Sequence, residues 1–580
     1  MKKVLIAATV VAVAAGGYWF NQQPEGGASQ FNEILALVPA DTPIFSGQLK
    51  PFPIKSYINS VPQNSQAYPE EVFAELELFD DTRSKFFVSL SRIYMDSLES
   101  GQKFVTTFGL ADDIRSYFYT LGLLPVLKVE VEKPDAIWAL LDKAEQDSGF
   151  SHQIKTLKGL TYRSYTLTEA GDAKAIELLF SQQNGLLTIT FNASIFSEDT
   201  LETAFGINPV SPSLADANVL QDIIKTHGFS DEAVGFVNHQ ELVKAMTTKD
   251  GNQLARQVTA ILDQEGEDSL LELRTPECHS EFAAIATNWP RTVFGLNSFS
   301  IEDQESSVDG SIVIESKNQT LLHALKSMRG FIPNYVKNSR DSVFSMGLGI
   351  ELNQLVPSLT AIWDELLQPQ YQCQILQDFQ QEISSQNPAM LSMFTGMANG
   401  IYGASVALLD YKFAEQTTQG ELNLESVDAI ISLSADNPSV LVNMLKPFVP
   451  ELASIELPQD GSSIDLTSLL PMLSEYGISP KLAVKGKHIV LYTGNQAEAV
   501  ANNLADEVLD NNGLYSVYLD YSKVYAALLS LSEFIGEPLL QEEFSKMKAY
   551  NMWMQVDLDI NDQGIVFDSY MNSKVTPSGE

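Results

Sequence analysis

The chain has little of what ordinarily marks a chemical site. Among 580 residues there are two cysteines and six histidines, His152, His227, His239, His279, His323 and His488. No two histidines are four apart and there is no Cys-x-x-Cys, which counts against a zinc centre whose ligands cluster in sequence. Cys278 and His279 are neighbours, and in an extended segment adjacent side chains point apart. Basic residues are scarce too, 36 against 74 acidic ones, for a net charge of −38. A surface of that sign repels phosphate backbones and anionic headgroups, so nucleic acid is excluded as a partner. Solubility is the plain reading of the excess.

Phosphate loops rich in glycine are absent. The nearest approach to a nucleophile elbow, Gly403-Ala404-Ser405-Val406-Ala407, lacks the second glycine and lies within a strand-like stretch. The acidic run Asp557–Asp562 lacks the sixth-position glycine and distant glutamate of a calcium loop, and reads as a hairpin. Carboxylates are too numerous for any pair to be singled out as glycosidase-like. No catalytic residue, metal ligand or cofactor is expected from these patterns.

Long apolar runs are missing with one exception. Lys2 and Lys3 precede an uncharged stretch, Val4–Phe20, followed by a polar linker to Gln30. At 1.5 Å per residue the stretch is about 25 Å long, enough for a thin bilayer. Tyr18-Trp19-Phe20 falls where interfacial aromatics settle, and the lysine pair keeps the amino terminus in the cytoplasm. An uncleaved anchor, a single membrane-spanning helix with the bulk of the chain exported, is the favoured expectation. A cleaved secretory signal, using the small residues Ala12-Val13-Ala14, is the alternative.

Beyond residue 30, two kinds of unit recur. A short one steps from strand to helix: Pro43–Leu49 into Ile54–Val61, Ala233–Val237 into Gln240–Met246, Phe344–Leu352 into Leu355–Leu366, and Tyr515–Leu519 into Ser522–Leu531. Asn238, Asn353 and Asp520 stand at the junctions, as helix N-caps should. A long unit has two strands, a break and an apolar helix. Ile401–Leu409, Ala429–Ala435, Asn437-Pro438 and Val440–Phe448 make one copy; Phe104–Leu110, Val126–Glu132, Lys133-Pro134 and Ala136–Ala144 make another. Proline closes the strand and suits the first helical turn. Extra helical sequence, Glu70–Phe79 and Arg83–Ser97, belongs to the first half alone.

These units predict an α+β fold, internally duplicated, with antiparallel sheets and helices packed on one face. The expected organisation is an anchor and linker over 1–30, a first half over 31–335 and a second over 336–580 with a short tail. The export segment, the Val38-Pro39-Ala40-Asp41-Thr42 entry and the strand-Pro-helix units resemble a family of uncharacterised bacterial exported proteins sharing a domain of unknown function. The resemblance covers most of 35–575. It implies an envelope location, here the bacterial inner membrane through residues 4–20 with the rest in the periplasm, and supplies no catalytic residue.

Two further expectations concern named side chains. Cys278 and Cys373, 95 residues apart in an exported chain, are expected to form a disulfide joining the end of the first half to the start of the second; the alternative is two buried free thiols, each a small apolar side chain. Tyr515, Tyr518, Tyr521 and Tyr525 cluster at one strand-to-helix step and are candidates for a binding surface, against burial in the core. The functional expectation is a non-catalytic envelope protein that binds another envelope protein or an apolar molecule held between sheet and helices. The alternative is a hydrolase whose site forms only in three dimensions.

Overall fold

The computed structural model describes residues 34–60, 81–168, 175–207, 210–266, 269–302, 305–338, 340–413, 424–446, 455–458, 460–474, 478–535 and 550–575. The proposed anchor Val4–Phe20 and the helical stretch Glu70–Phe79 lie outside these. Among the described residues no helix is long and apolar enough to cross a membrane. The fold is α+β, and the chain divides into two compact units, Met1–Glu315 with Tyr371–Leu376, and Ser316–Gln370 with Gln377–Glu580. Residues 316–335, expected in the first half, group with the second unit. Helix Gln319–Ser327 packs on helix Leu352–Leu367, and the short helix Asn334–Lys337 packs on three strands of the second unit.

The first unit contains strands β1 (Ile44–Gln48), β2 (Ser116–Leu121), β3 (Leu124–Glu130), β4 (Gln153–Leu157), β5 (Leu160–Thr166), β6 (Ile176–Gln183), β7 (Leu186–Ala193), β8 (Ala233–Asn238), β9 (Arg291–Glu302) and β10 (Glu305–Glu315). Every pairing is antiparallel, in the order β10-β9-β8-β1-β2-β3-β7-β6-β5-β4. The second unit contains β11 (Phe344–Leu348), β12 (Ile401–Phe413), β13 (Leu424–Ala435), β14 (Ile464–Asp465), β15 (Lys481–Lys485), β16 (His488–Thr493), β17 (Tyr515–Asp520), β18 (Tyr550–Ile560) and β19 (Gly564–Val575). Its order is β19-β18-β17-β11-β12-β13-β16-β15-β14, again antiparallel throughout. Strand for strand the second order repeats the first, with no counterpart of β4 among the described residues.

Local chemistry explains most element boundaries. Pro134 and Pro438 each sit in the first turn of the helix that leaves the second strand of a long unit, where the missing N–H costs nothing. Asn238 accepts from the backbone of Gln240 and Glu241, and Asp520 accepts from Lys523 N at 3.1 Å. Asn353 differs from expectation: its Oδ1 accepts from Gly400 N at 2.9 Å, and Glu351 holds the cap position of helix Leu352–Leu367. The stretch Phe104–Leu110, expected as a strand, lies largely in helix Gly101–Phe108. Ser100 caps it and Gly109 ends it at φ 62°, a left-handed turn that glycine adopts freely. The strand in that place is β2.

Helices on a single face were expected; both units carry them on both faces. In the first, Val129, Leu187, Phe180 and Tyr165 project from one face into a core shared with Phe86 of helix Thr82–Ser97 and Leu141 of helix Pro134–Ser148. Lys128 and Tyr162 project from the other, where they meet Ala204 and Phe205 of helix Glu198–Phe205. In the second, Ala497 and Ala501 of helix Asn495–Asn503 pack with Ala407, Ile430, Val490 and Tyr492 on one face. On the other, Tyr521 of helix Tyr521–Ile535 reaches Met554, its hydroxyl 3.2 Å from the sulfur.

The sulfurs of Cys278 and Cys373 are 2.00 Å apart and their Cα atoms 4.5 Å apart, a disulfide. Both cysteines fall within the first unit, because Tyr371–Leu376 groups there. Phe282, Ile285 and Leu376 surround the bond.

Candidate functional site

In the second unit the two sheet faces carry opposite kinds of side chain, and the distribution is the reverse of the usual one. Directly paired residues project to the same side, so the register defines each face. The face under helix Asn495–Asn503 presents Ser345, Gly347, Ser405, Ala407, Ser432, Ser434 and Ser516, all buried. Small residues let the alanines of that helix approach closely. Ser405 Oγ lies 2.8 Å from both Ser432 Oγ and Tyr335 Oη, while the buried hydroxyls of Ser345 and Ser516 have no hydrogen-bond partner among the described residues.

The opposite face is built of large apolar side chains. One row crosses all nine strands: Ser569, Val556, Val517, Met346, Val406, Ile431, Leu491, Leu482 and Ile464. The next row reads Phe567, Leu558, Tyr515, Leu348, Ala404, Leu433, Ile489 and Val484, and a third reads Met571, Met554, Leu519, Phe344, Leu408, Ala429 and Thr493. None of these residues is charged. Yet Met346, Leu348 and Ile431 are 37%, 46% and 53% exposed, and their neighbours Val517, Val406 and Leu433 are half-buried. Ile455 and Leu466 close only the end carried by Leu482.

The described helices do not complete this face. Residues 521–530 of helix Tyr521–Ile535 are all half-buried, including the apolar Val524, Ala526, Ala527, Leu528 and Leu529. In helix Leu352–Leu367 only Ser358 is buried, leaving Leu355, Val356, Leu359 and Trp363 partly open. Helix Pro438–Leu445 buries Leu441 and Val442 and leaves Val440 and Met444 exposed. A continuous apolar surface of this extent is uncommon on a protein with nothing bound to it.

The four candidate tyrosines separate. Tyr515 lies in the second apolar row, and Tyr521 approaches the third through Met554; Tyr525 follows Tyr521 on the helix, ring centroids 6.1 Å apart. Tyr518 belongs to the opposite face. It is fully buried, with its hydroxyl donating to Arg340 O at 2.8 Å and its ring 5.5 Å from that of Trp553. Burial pushes its phenol up. The parity of the numbering carried this signal, since residues three apart on a strand face opposite ways.

The hydrolase alternative can be judged on its geometry. Ser434 Oγ lies 2.8 Å from His488 Nδ1, a contact across the paired strands β13 and β16. Both side chains are buried, and burial pushes the imidazole down. The other ring nitrogen is 3.5 Å from a backbone carbonyl, that of Glu507, with no carboxylate there. Ser405 is likewise a buried strand residue. In the first unit an open groove of about 720 Å³ runs between helices Thr82–Ser97 and Pro134–Ser148, with Asp96 and Asp147 on its rim. Asp96 is paired with Lys103 at 2.8 Å and Asp147 accepts from Ser89 at 2.8 Å, so both are committed. Among the described residues no group of three or more metal-ligating side chains is found.

Two buried ionisable groups escaped the sequence reading. Lys128 on β3 is 1% exposed. Its Nζ donates to Thr188 Oγ1 at 2.9 Å and to Ala204 O, at the end of helix Glu198–Phe205, at 2.8 Å. Burial pushes it down to about 7. Glu232, before β8, is pushed up to about 7, again chiefly by burial. The two stand on β3 and beside β8, strands separated in the sheet by β2 and β1, so they do not make a common site. No family model, curated protein or solved structure matches the chain.

Proposed function

We propose that this is a non-catalytic binding protein of the bacterial envelope, held at the inner membrane through residues 4–20 with both units in the periplasm. In this reading the two units descend from an internal duplication, which the recurrence of one strand order in both supports. The first unit is the closed copy and the second has become the binding copy. The observation that carries the reading is the charge-free apolar face of the second unit, flanked by half-buried helices. Each Å² of such surface left in water forgoes roughly 25 cal/mol, so its persistence is best accounted for by an occupant. Tyr515 and Tyr521 supply amphipathic rings beside it, as binding surfaces commonly do.

The test is site-directed crosslinking. A photoreactive amino acid placed at Ile431 in the full-length chain, activated in intact cells, is expected to trap an envelope component. The same probe at Ile154, an exposed apolar residue on β4, is expected to trap nothing comparable. No adduct at Ile431, or the same adduct from both positions, would overturn the reading.

A further inference from the structure

We infer that the occupant of the second unit's apolar face is the hydrocarbon of a lipid, and that lipids without net negative headgroup charge are preferred. The inference rests on the binding reading above and names its ligand class.

Three features of the face select an acyl chain over a polypeptide. The first is hydrogen bonding. Met346, Val406 and Ile431 lie on interior strands, each already paired on both sides, so the face offers no strand edge on which a peptide could add. Its three rows contain few polar atoms, chiefly the hydroxyls of Tyr515, Thr493 and Ser569. A guest must therefore need almost no hydrogen bonds, which suits a methylene chain and not a peptide backbone.

The second is charge. The chain carries −38, so a second copy would bring a like charge of the same size, and acidic headgroups are disfavoured for the same reason. Acyl chains bring none. The third is shape and compliance. Eight strand spacings at roughly 4.8 Å make the apolar row about 38 Å long. One acyl chain spans about 15 Å, half the hydrocarbon core of a bilayer. The row thus accommodates more than one chain end to end. Met346, Met554 and Met571 are unbranched and polarizable and adapt to guests of varied outline.

The experiment uses the full-length chain in membranes containing phosphatidylethanolamine with a photoreactive group near the end of one acyl chain. After illumination the adducts are mapped by mass spectrometry. Labelling is expected on the segments that carry Met346, Leu348 and Ile431. It should fall at least tenfold in Ile431→Lys and, independently, in Met346→Lys, both solvent-facing positions, with the circular dichroism melt unchanged; Ile154→Lys should label as wild type. Phosphatidylglycerol carrying the same group should label the face several-fold less. Labelling confined to residues 4–20, or insensitive to both lysine variants, would overturn the inference. Equal labelling by the two lipids would overturn its headgroup clause. If the face takes no lipid while the probe at Ile431 still traps an envelope protein, the lipid inference falls and the binding reading stands. If that probe traps only a second copy of this chain, both fall.

Discussion

In the first unit, the face opposite helix Glu198–Phe205 is closed over β5, β6 and β7. Phe86, Leu141 and Ala144 from two long helices sit on Tyr165, Leu178, Phe180 and Leu187, with Phe86 and Ala144 wholly inaccessible. In the second unit, the face opposite the corresponding helix Asn495–Asn503 leaves Ile431 more than half exposed. The strand order is shared, so the sheet does not cause the difference. The helices differ: Pro134–Ser148 has 15 residues and Pro438–Leu445 has 8, and the segments between the first two strands of each unit differ too. Helices Thr82–Ser97 and Gly101–Phe108 stand between β1 and β2 and join the core. Between β11 and β12 stand helix Leu352–Leu367, whose apolar residues stay half open, and helix Gln374–Ser384, which buries only Leu376. One strand order therefore serves as a packed core or as an exposed face according to the helices laid on it.

Mutations should separate the two units in a graded way. The largest expected effect is Phe86→Ala, at about 3–5 kcal/mol, because the aromatic is fully enclosed and its removal leaves a cavity. Denaturant unfolding followed by tryptophan fluorescence would measure it, and a loss below 1 kcal/mol would erase the contrast with the open face. Next comes the disulfide. Cys278→Ser with Cys373→Ser removes a 95-residue loop closure, with a cost of about 2–4 kcal/mol. The first unit should melt earlier in calorimetry, as it also should in reductant.

Lys128→Met should instead stabilise the first unit, by about 1–3 kcal/mol at pH 6, since methionine fills the same space without a charge to desolvate. The sign of its pH dependence follows from the depressed value. Between about 7 and the ordinary lysine value of 10.5, the unfolded chain holds a proton that the folded chain has released. Wild-type stability therefore gains from this group as pH rises through that window, and below it the penalty is full. The advantage of Lys128→Met should shrink from pH 7 to pH 10; an advantage that grew with pH would show that the lysine has a charged partner. The smallest effect belongs to Ile431→Ala, within about 0.5 kcal/mol, as for an exposed position. A cost of 2 kcal/mol or more would mean that the face is closed in solution.

Much of this architecture could be read from local sequence, because local chemistry decides it. Pro134 and Pro438 start helices, Asn238 and Asp520 cap them, and Asn561 turns the last hairpin by accepting from Gln563 and Gly564. Phe104–Leu110 was legible in principle, since Ser100 and Gly109 are a cap and a stop, but its aromatic and β-branched residues imitate a strand. The open face was not legible. Along β12, Tyr402, Ala404, Val406 and Leu408 alternate with Gly403, Ser405, Ala407 and Leu409, and bulk alone would send the former set inward. The smaller set is buried instead, because an alanine-faced helix packs on it, and that pairing depends on residues 90 or so positions away, an order of separation no local pattern reports. Lys128 was hidden for a related reason: a single charge in an apolar run looks like the solvent side of a strand until the helix above it is known.

The bond between Cys278 and Cys373 also determines how this chain would age under proteolysis. The loop it closes contains the passage out of the first unit and all of the first segment of the second, Ser316–Gln370. A protease that cuts once anywhere inside that loop produces two polypeptides that remain one molecule. Nicked material would keep its full mass on a gel until thiol was added, and only then fall into an amino-terminal and a carboxy-terminal piece.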